Sequence, residues 1–471
     1  MKTLYRKIVV ISGLFLMITS AYAKSDSLEV YLKIAVENNP TVLQRFKEYK
    51  AALQKVPQAG SLSDPQLEMG VFLSPMEVLS GKQVADIQLM QMFPWFGVLK
   101  NAKDEMSLMA QMKYEIFRDA KLQVFYDVQK SWFDLYRIRR DMVLTQQNLT
   151  LLQSIHRMAV VKFGVAGLNS KASSGSNYPS STKNNELSGS GMNNMGGSNQ
   201  VATTSMKSGM SFGGMGGNSN SGGLIEVYDL QLELTELENS LSNLQSEKAV
   251  ALARFNALLN RAENTPVAIA DTLIAGPLDI AYLSVSDSLF SSNPMLNMLQ
   301  YEQRSLDSRF VMQKKMGLPM VGIGVKYSVI ASDPMSGSAM NGRDMVMPML
   351  SVTLPVYRKK YQAMQAETKL LKEASEENSK AMQNELRTAY LEALNQYYDA
   401  ERRLKLYDKQ RSYLQKSLSV NLKAYSSGGS SLSDIQTMRR RLLEFDLKYV
   451  EALTDFNTAK ALVLRIVSTI D

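Results

Sequence analysis

The sequence contains no cysteine and a single histidine, His156, among 471 residues. The first absence excludes disulfides, a thiolate metal site, a catalytic thiol and lipid attachment through an N-terminal cysteine. The second nearly excludes a histidine-built zinc centre. Nothing in the stretch "SIHRM" around His156 suggests a histidine-based triad. Long hydrophobic runs are also scarce. Beyond residue 23 no stretch reaches the roughly 18 apolar residues of a membrane-spanning helix. No block of basic residues is interleaved with aromatics, so the net charge of +8 gives no sign of a nucleic-acid partner. The run Arg439, Arg440, Arg441 sits on a helical pattern and reads as a solvated face or as a contact for an acidic partner.

The N-terminus does carry a signal. Lys2, Arg6 and Lys7 precede the apolar run "IVVISGLFLMITS", and "AYA" closes it at Ala23. A charged region, an apolar region and a small-residue cleavage site make residues 1–23 an export signal peptide. If the exported chain enters a membrane, it does so by a route other than a helix.

The rest is a duplication. Asn39-Pro40 in "ENNPTVL" matches Asn293-Pro294 in "SSNPML", and Pro65 lies as far beyond the first as Pro319 lies beyond the second. Gly70-Val71 then matches Gly324-Val325, and "FPWFG" matches "LPVYR". Further on, Tyr136 answers to Tyr398, Arg140 to Arg402, Leu144 to Leu406, Leu152 to Leu414 and Phe163 to Tyr425. Each copy has a helix, two short strands, a very long helix, a turn and a returning helix. The first copy spans 24–260, with strands about 65–73 and 84–94, a long helix about 96–164 and a returning helix about 224–260. A linker covers 261–287. The second copy spans 288–471, with strands about 320–331 and 345–355 and helices about 358–425 and 432–467.

The strands alternate with period two. Val321, Ile323, Val325, Tyr327 and Val329 share one face, opposite Met320, Gly322, Gly324, Lys326 and Ser328. Val346, Leu350, Val352 and Leu354 oppose Met345, Met347, Met349, Ser351 and Thr353, while Ile87, Leu89 and Phe93 oppose Asp86, Gln88, Met90 and Met92. One greasy and one polar face fit transmembrane barrel strands with lipid outside and water inside. Met90, Met92, Met320, Met345, Met347 and Met349 then face the lumen. No proline interrupts 96–164 or 358–425, about 68 residues each and roughly 100 Å as helix at 1.5 Å per residue. Leu230, Leu234, Leu237, Leu241 and Leu244 give the first returning helix a coiled-coil-like seam. Four strands cannot close a barrel, and open edges in lipid leave backbone groups unsatisfied, so several copies must share one barrel. The fold class is therefore mainly α with a β-barrel part: an internally duplicated long-helix tunnel plus four transmembrane β-strands per chain.

In this arrangement the sequence resembles the TolC family of outer-membrane efflux proteins. The resemblance spans nearly all of the chain after residue 23. It rests on "SLEVYLKIAVENNPTVL", on the duplicated plan, on "ALARFNALLN", and on the turns "VKFGVAG" and "KAYSSGGSSLSDIQ". It implies a homotrimer with a twelve-stranded barrel in outer-membrane lipid, a helical tunnel across the periplasm, a periplasmic adaptor and an inner-membrane pump. It implies no catalysis. It also marks Tyr425 and Asp434, with Asp229 as the first-copy counterpart of Asp434, as candidates for a latch that holds the periplasmic aperture shut. Gly164, Val165, Gly428 and Gly429 mark the tips that would meet the adaptor. Asp434 has a simpler reading as a carboxylate at a helix start.

One segment has no counterpart. Residues about 168–223 form an insertion rich in Gly, Ser, Asn and Met at the first tip, where the second copy simply turns. Its composition is that of a flexible coil, yet it carries Met192, Met195, Met206, Met210 and Met215. Thioethers are soft ligands suited to Cu(I) and, by the same softness, Ag(I). The readings are transient contact with such ions, compositional drift, or docking of a partner's apolar patch. Within the family the branch implied is the CusC-like, copper/silver-exporting one, although this chain lacks the lipidated cysteine that many of its members carry. Export of drugs or small organic molecules is the rival within the family. A structural coiled-coil surface protein is the rival from another class. No resident cofactor is expected.

Overall fold

A computed structural model describes residues 28–171 and 221–468, except 79, 271, 280, 281, 283–289, 336, 338, 427, 428 and 430. Residues 1–23, expected to be an export signal, Gly428 and the five insertion methionines lie outside the described residues. The elements are α1 (Leu28–Asn38), α2 (Pro40–Gly60), β1 (Gln66–Val78), β2 (Gly81–Phe93), α3 (Val98–Lys171), α4 (Ser221–Leu258), α5 (Pro294–Met316), β3 (Met320–Ala331), β4 (Met345–Thr353), α6 (Arg358–Ser426) and α7 (Leu432–Val467).

The chain divides into two compact units. The first contains all four strands, α1, α2, α5 and the parts of α3, α4, α6 and α7 within 1–141, 245–413 and 444–471. The second contains the rest of those four helices, within 142–244 and 414–443.

In the first unit the strands form one antiparallel sheet in the order β1-β2-β3-β4. Each copy supplies a hairpin, and β2 pairs with β3 to join the copies, Gln88 opposite Lys326. Among the described residues the sheet has two open edges, β1 and β4. The first hairpin is longer than its sequence suggests. β1 runs to Val78, past the expected end at 73, and β2 starts at Gly81 rather than 84, with Val78 opposite Gly81. Pro75 and the glycine read as loop. In fact the register shifts between Val71 and Met76, so an irregularity in an edge strand absorbs the proline. Gly81 has φ +124, a conformation that favours glycine. Helix likewise encroaches on the insertion, because α3 continues to Lys171 and α4 starts at Ser221.

The copies are anchored by the same device. Asn39 caps α2, its Oδ1 accepting from Thr41 N at 2.9 Å while its Nδ2 donates to the Leu258 carbonyl at 2.8 Å. Asn293 caps α5, accepting from Met295 N at 2.9 Å and donating to the Ile466 carbonyl at 3.0 Å. Proline follows each, where a missing N–H costs nothing. Each asparagine thus starts one helix and ties it to the end of the returning helix of its own copy. The core beneath the second copy includes Tyr390, Leu394, Tyr397, Phe456 and Val463. Tyrosine hydroxyls pin the connecting segment. Tyr136 accepts from Leu273 N at 3.2 Å and Tyr397 from Leu278 N at 3.1 Å. Among the described residues no helix is long and apolar enough to cross a membrane.

Candidate functional site

The sheet presents two chemically distinct faces. On one, Val71, Leu89, Ile323, Val325, Val346, Leu350 and Val352 are exposed, Leu350 at 74% and Val71 at 76%. The alternation that places them there is the period of the strand itself. A large apolar face open on a sheet marks a surface meant for something other than water.

Cross-strand partners point to one face, so the register builds the opposite face row by row. Gln66, Met90, Gly324 and Met349 form one row. Met92, Gly322 and Ser351 form the next, with Met320 opposite Thr353 beyond. In the other direction come Glu68, Gln88, Lys326 and Met347, then Gly70, Asp86, Ser328 and Met345. Lys326 is neutralised by Asp86 at 2.9 Å, and Gln83 donates to Ser328 at 3.3 Å. All six strand methionines expected on the polar face therefore share it. Among the described residues no three His, Asp or Glu side chains gather into a metal-holding group.

In the second unit Leu149, Leu152, Ile155, Leu230, Leu234 and Leu432 form a buried cluster, against which Tyr425 packs from the end of α6. Asp434 is exposed and serves the start of α7. Its carboxylate accepts from Ser431 Oγ at 2.7 Å, and Ser431 Oγ accepts from Asp434 N at 3.1 Å. Spacing and geometry are those of a capping box. Asp229 is exposed on α4. Gly164 and Val165 lie in helical backbone of α3. Gly429 follows α6 and donates from its N to the Ala424 carbonyl at 2.8 Å.

Two charged sites escaped the sequence. Arg439 is not on a solvated face: it is 2% exposed and paired with the buried Glu233. Asn148 Oδ1 lies 3.5 Å from its Nη1. Among the described residues Arg439 Nε and Glu233 Oε2 have no partner. Burial pulls the guanidinium below its usual range, against the pull of Glu233. The signal that could have found the pair is the period: on the returning helix Leu432, Ile435 and Arg439 recur at core spacing. In the first unit, burial pushes the Asp141 carboxyl up to about 6, with Arg137 lowering it and Glu451 and Glu247 raising it. Arg137 Nη1 reaches Asp141 Oδ2 at 3.4 Å, and Asp141 Oδ1 has no partner among the described residues.

No family model and no curated protein matches the chain. Solved structures do match. A structure of CusC, described in terms of folding and transmembrane channel formation, is 13% identical with TM-score 0.68, covering 94% of this chain and 92% of that one. The outer-membrane protein VceC from Vibrio cholerae is 10% identical with TM-score 0.66, covering 93% and 95%. The open-state MtrE outer-membrane channel of Neisseria gonorrhoeae is 12% identical with TM-score 0.66, covering 93% and 88%. At these identities the likeness is one of fold, and it runs over nearly the whole length of each chain. The fold is that of the TolC-type outer-membrane channels, with mostly helical structure and a four-stranded sheet.

Proposed function

We propose that this chain is the outer-membrane channel of a tripartite export system. Three copies close a twelve-stranded barrel in the outer membrane. Their long helices form a conduit through the periplasm to an adaptor and an inner-membrane pump. The observation that carries this reading is the sheet: an exposed apolar face, a polar opposite face, and an open strand at each edge. Lipid suits the first face and water the second, and pairing β4 of one copy with β1 of the next satisfies both edges. The channel makes and breaks no bonds; the pump supplies the energy. Tyr425, Asp434 and Asp229 stand near the aperture as its latch candidates. In planar bilayers the purified protein should give stable single-channel steps. Absence of conductance from a folded, membrane-extracted preparation would overturn the proposal.

The cargo that best fits the residues is a soft monovalent cation, Cu(I) or Ag(I). Six methionines share the polar face of the sheet, and five more lie in the insertion. Thioethers favour such ions over zinc. Changing Met192, Met195, Met206, Met210 and Met215 together to Leu keeps bulk and removes sulfur. The expected result is partial sensitisation of cells to copper and silver with zinc tolerance unmoved. Equal copper tolerance at matched expression would remove the insertion from the transport path.

A further inference from the structure

We infer that Met90 and Met92 of β2, seated over Gly322 and Gly324 of β3, form a thioether site for one soft cation per chain on the polar face of the sheet. The inference rests on the channel reading only for calling that face the lumen; the site itself is built from the strand register.

Glycine inside a strand weakens it, and two of them at alternate positions clear one face for something to approach. Here the approaching groups are sulfurs. A Cβ on Gly322 would stand 2.5 Å from Met92 Sδ and 3.2 Å from Met90 Sδ. A Cβ on Gly324 would stand 3.0 Å from Met90 Sδ and 2.6 Å from the Leu89 carbonyl. Both sulfurs therefore pack against Gly322, within 3.2 Å of the place its Cβ would take, and so lie close to one another. No other residue type at 322 leaves them there. Met90 is buried and Met92 half-buried, so the pair combines a held donor with a reachable one. Met349 shares the face one strand further on, opposite Gly324.

The donor set selects the ion. Two neutral thioethers satisfy a soft cation of low coordination number and give little to zinc or magnesium. Lys326, one row away on the same face, is held by Asp86 at 2.9 Å, which blunts its repulsion of an incoming ion. Thioethers carry no proton to displace, so binding through them is independent of pH, unlike binding through thiolate, imidazole or carboxylate. Neutral donors also hold an ion without trapping it, which suits a surface that passes ions on.

The test uses the full-length channel with the five insertion methionines changed to Leu, so that only strand and helix sulfurs remain. Silver nitrate is titrated without chloride while methionine methyl signals are followed by NMR, with Met90→Leu and Met92→Leu assigning two of them. The expected result is a shift of both assigned signals, saturating near one Ag(I) per chain, with no response to Zn(II). Met90→Leu/Met92→Leu should weaken this binding at least tenfold. Binding should be unchanged between about pH 5 and about pH 7. Unmoved Met90 and Met92 signals at saturating Ag(I) overturn the site, and this reading does not depend on the double variant folding. A steep loss of binding on acidification also overturns it, pointing to Asp86 or Glu68 as the ligand. Conductance of the same preparation without silver separates the two claims. A conducting channel with unmoved methyls rejects the site and keeps the channel; silver-shifted methyls in a non-conducting protein do the reverse.

Discussion

Asn39 and Asn293 do the same work in the two copies with nearly the same backbone, φ −64 and ψ 124 against φ −65 and ψ 125. Arg140 and Arg402 apart, neighbouring charged positions of the long helices do not agree in this way. In α3, Arg137 precedes Asp141 at i,i+4; at the matching places in α6, Asp399 precedes Arg403. The order acid-then-base is the better one along a helix. The second copy has it, with Arg403 at 2.8 Å from Asp399 and at 2.9 Å from Asp455. The first copy has the reverse, a 3.4 Å contact and a buried carboxylate oxygen without a partner among the described residues. The returning helices diverge as well. Asp229 matches Asp434, which aligns Glu233 with Met438 and Leu234 with Arg439. One copy offers an acid and a leucine where the other offers a thioether and a base, and the acid and the base pair with each other. Met438 is occupied by Asn421, whose Nδ2 donates to its sulfur at 2.6 Å. The copies have stayed alike where a turn must hold its shape. At Glu233 and Arg439 they have parted where one copy packs on the other, and there each has become the other's partner.

The largest effect should come from breaking that partnership. Arg439→Ala takes from the buried Glu233 its close counter-ion, leaving only the exposed Arg440 Nε at 3.8 Å, and should destabilise the second unit by about 3–5 kcal/mol, measured by thermal unfolding in detergent. Arg439→Leu with Glu233→Met gives each copy the other's apolar residue and should recover most of the loss. A double variant no better than the single one would show that the pair is not the source of the cost.

Next comes Asp141. Its carboxyl is held above the usual carboxylate range, to about 6, so the folded chain binds the proton more tightly than the unfolded chain. Stability from this group is present at low pH and falls as pH rises from about 4 to about 6. Asp141→Asn should remove that fall and stabilise the first unit by roughly 2 kcal/mol at neutral pH. Parallel pH profiles for variant and parent would contradict the assignment. Arg403, the matching position, has two carboxylate partners and supplies the contrast: Arg403→Gln should destabilise.

Asn39→Ala and Asn293→Ala should each cost about 1–2 kcal/mol, and about equally, because their geometry matches. Unequal losses would break the equivalence of the copies. The smallest effect on stability is expected from Tyr425→Phe with Asp434→Asn, which leaves the hydrophobic cluster intact. If the two residues act on the aperture as proposed, single-channel conductance rises. Unchanged conductance confines Asp434 to its capping box with Ser431.

The sequence made the strand faces readable because period two survives any error in strand ends: Val321 to Val329 alternate correctly wherever β3 is cut. It hid the length of the first hairpin, because Pro75 and Gly81 are loop residues until a register irregularity and a positive φ accommodate them. Alternation also put Met90, Met92 and Gly322 on polar faces, but only the register brings those particular sulfurs over that glycine. Arg439 was misread because three adjacent arginines look like a solvated run, whereas a helix turns each one to a different side. Arg440 is exposed and Arg439 buried, although both reach Glu233 Oε1, Arg440 Nε from 3.8 Å. The Ser431-x-x-Asp434 spacing was a legible capping signal, although a glutamate is the usual partner there.

The most direct test of the central claim is the mass of the detergent-extracted protein, with the detergent's share subtracted. Shared closure of the sheet predicts three copies per particle, dissociating only as the fold is lost. A stable, folded monomer would leave β1 and β4 unpaired and would contradict both the common barrel and the conduit built upon it.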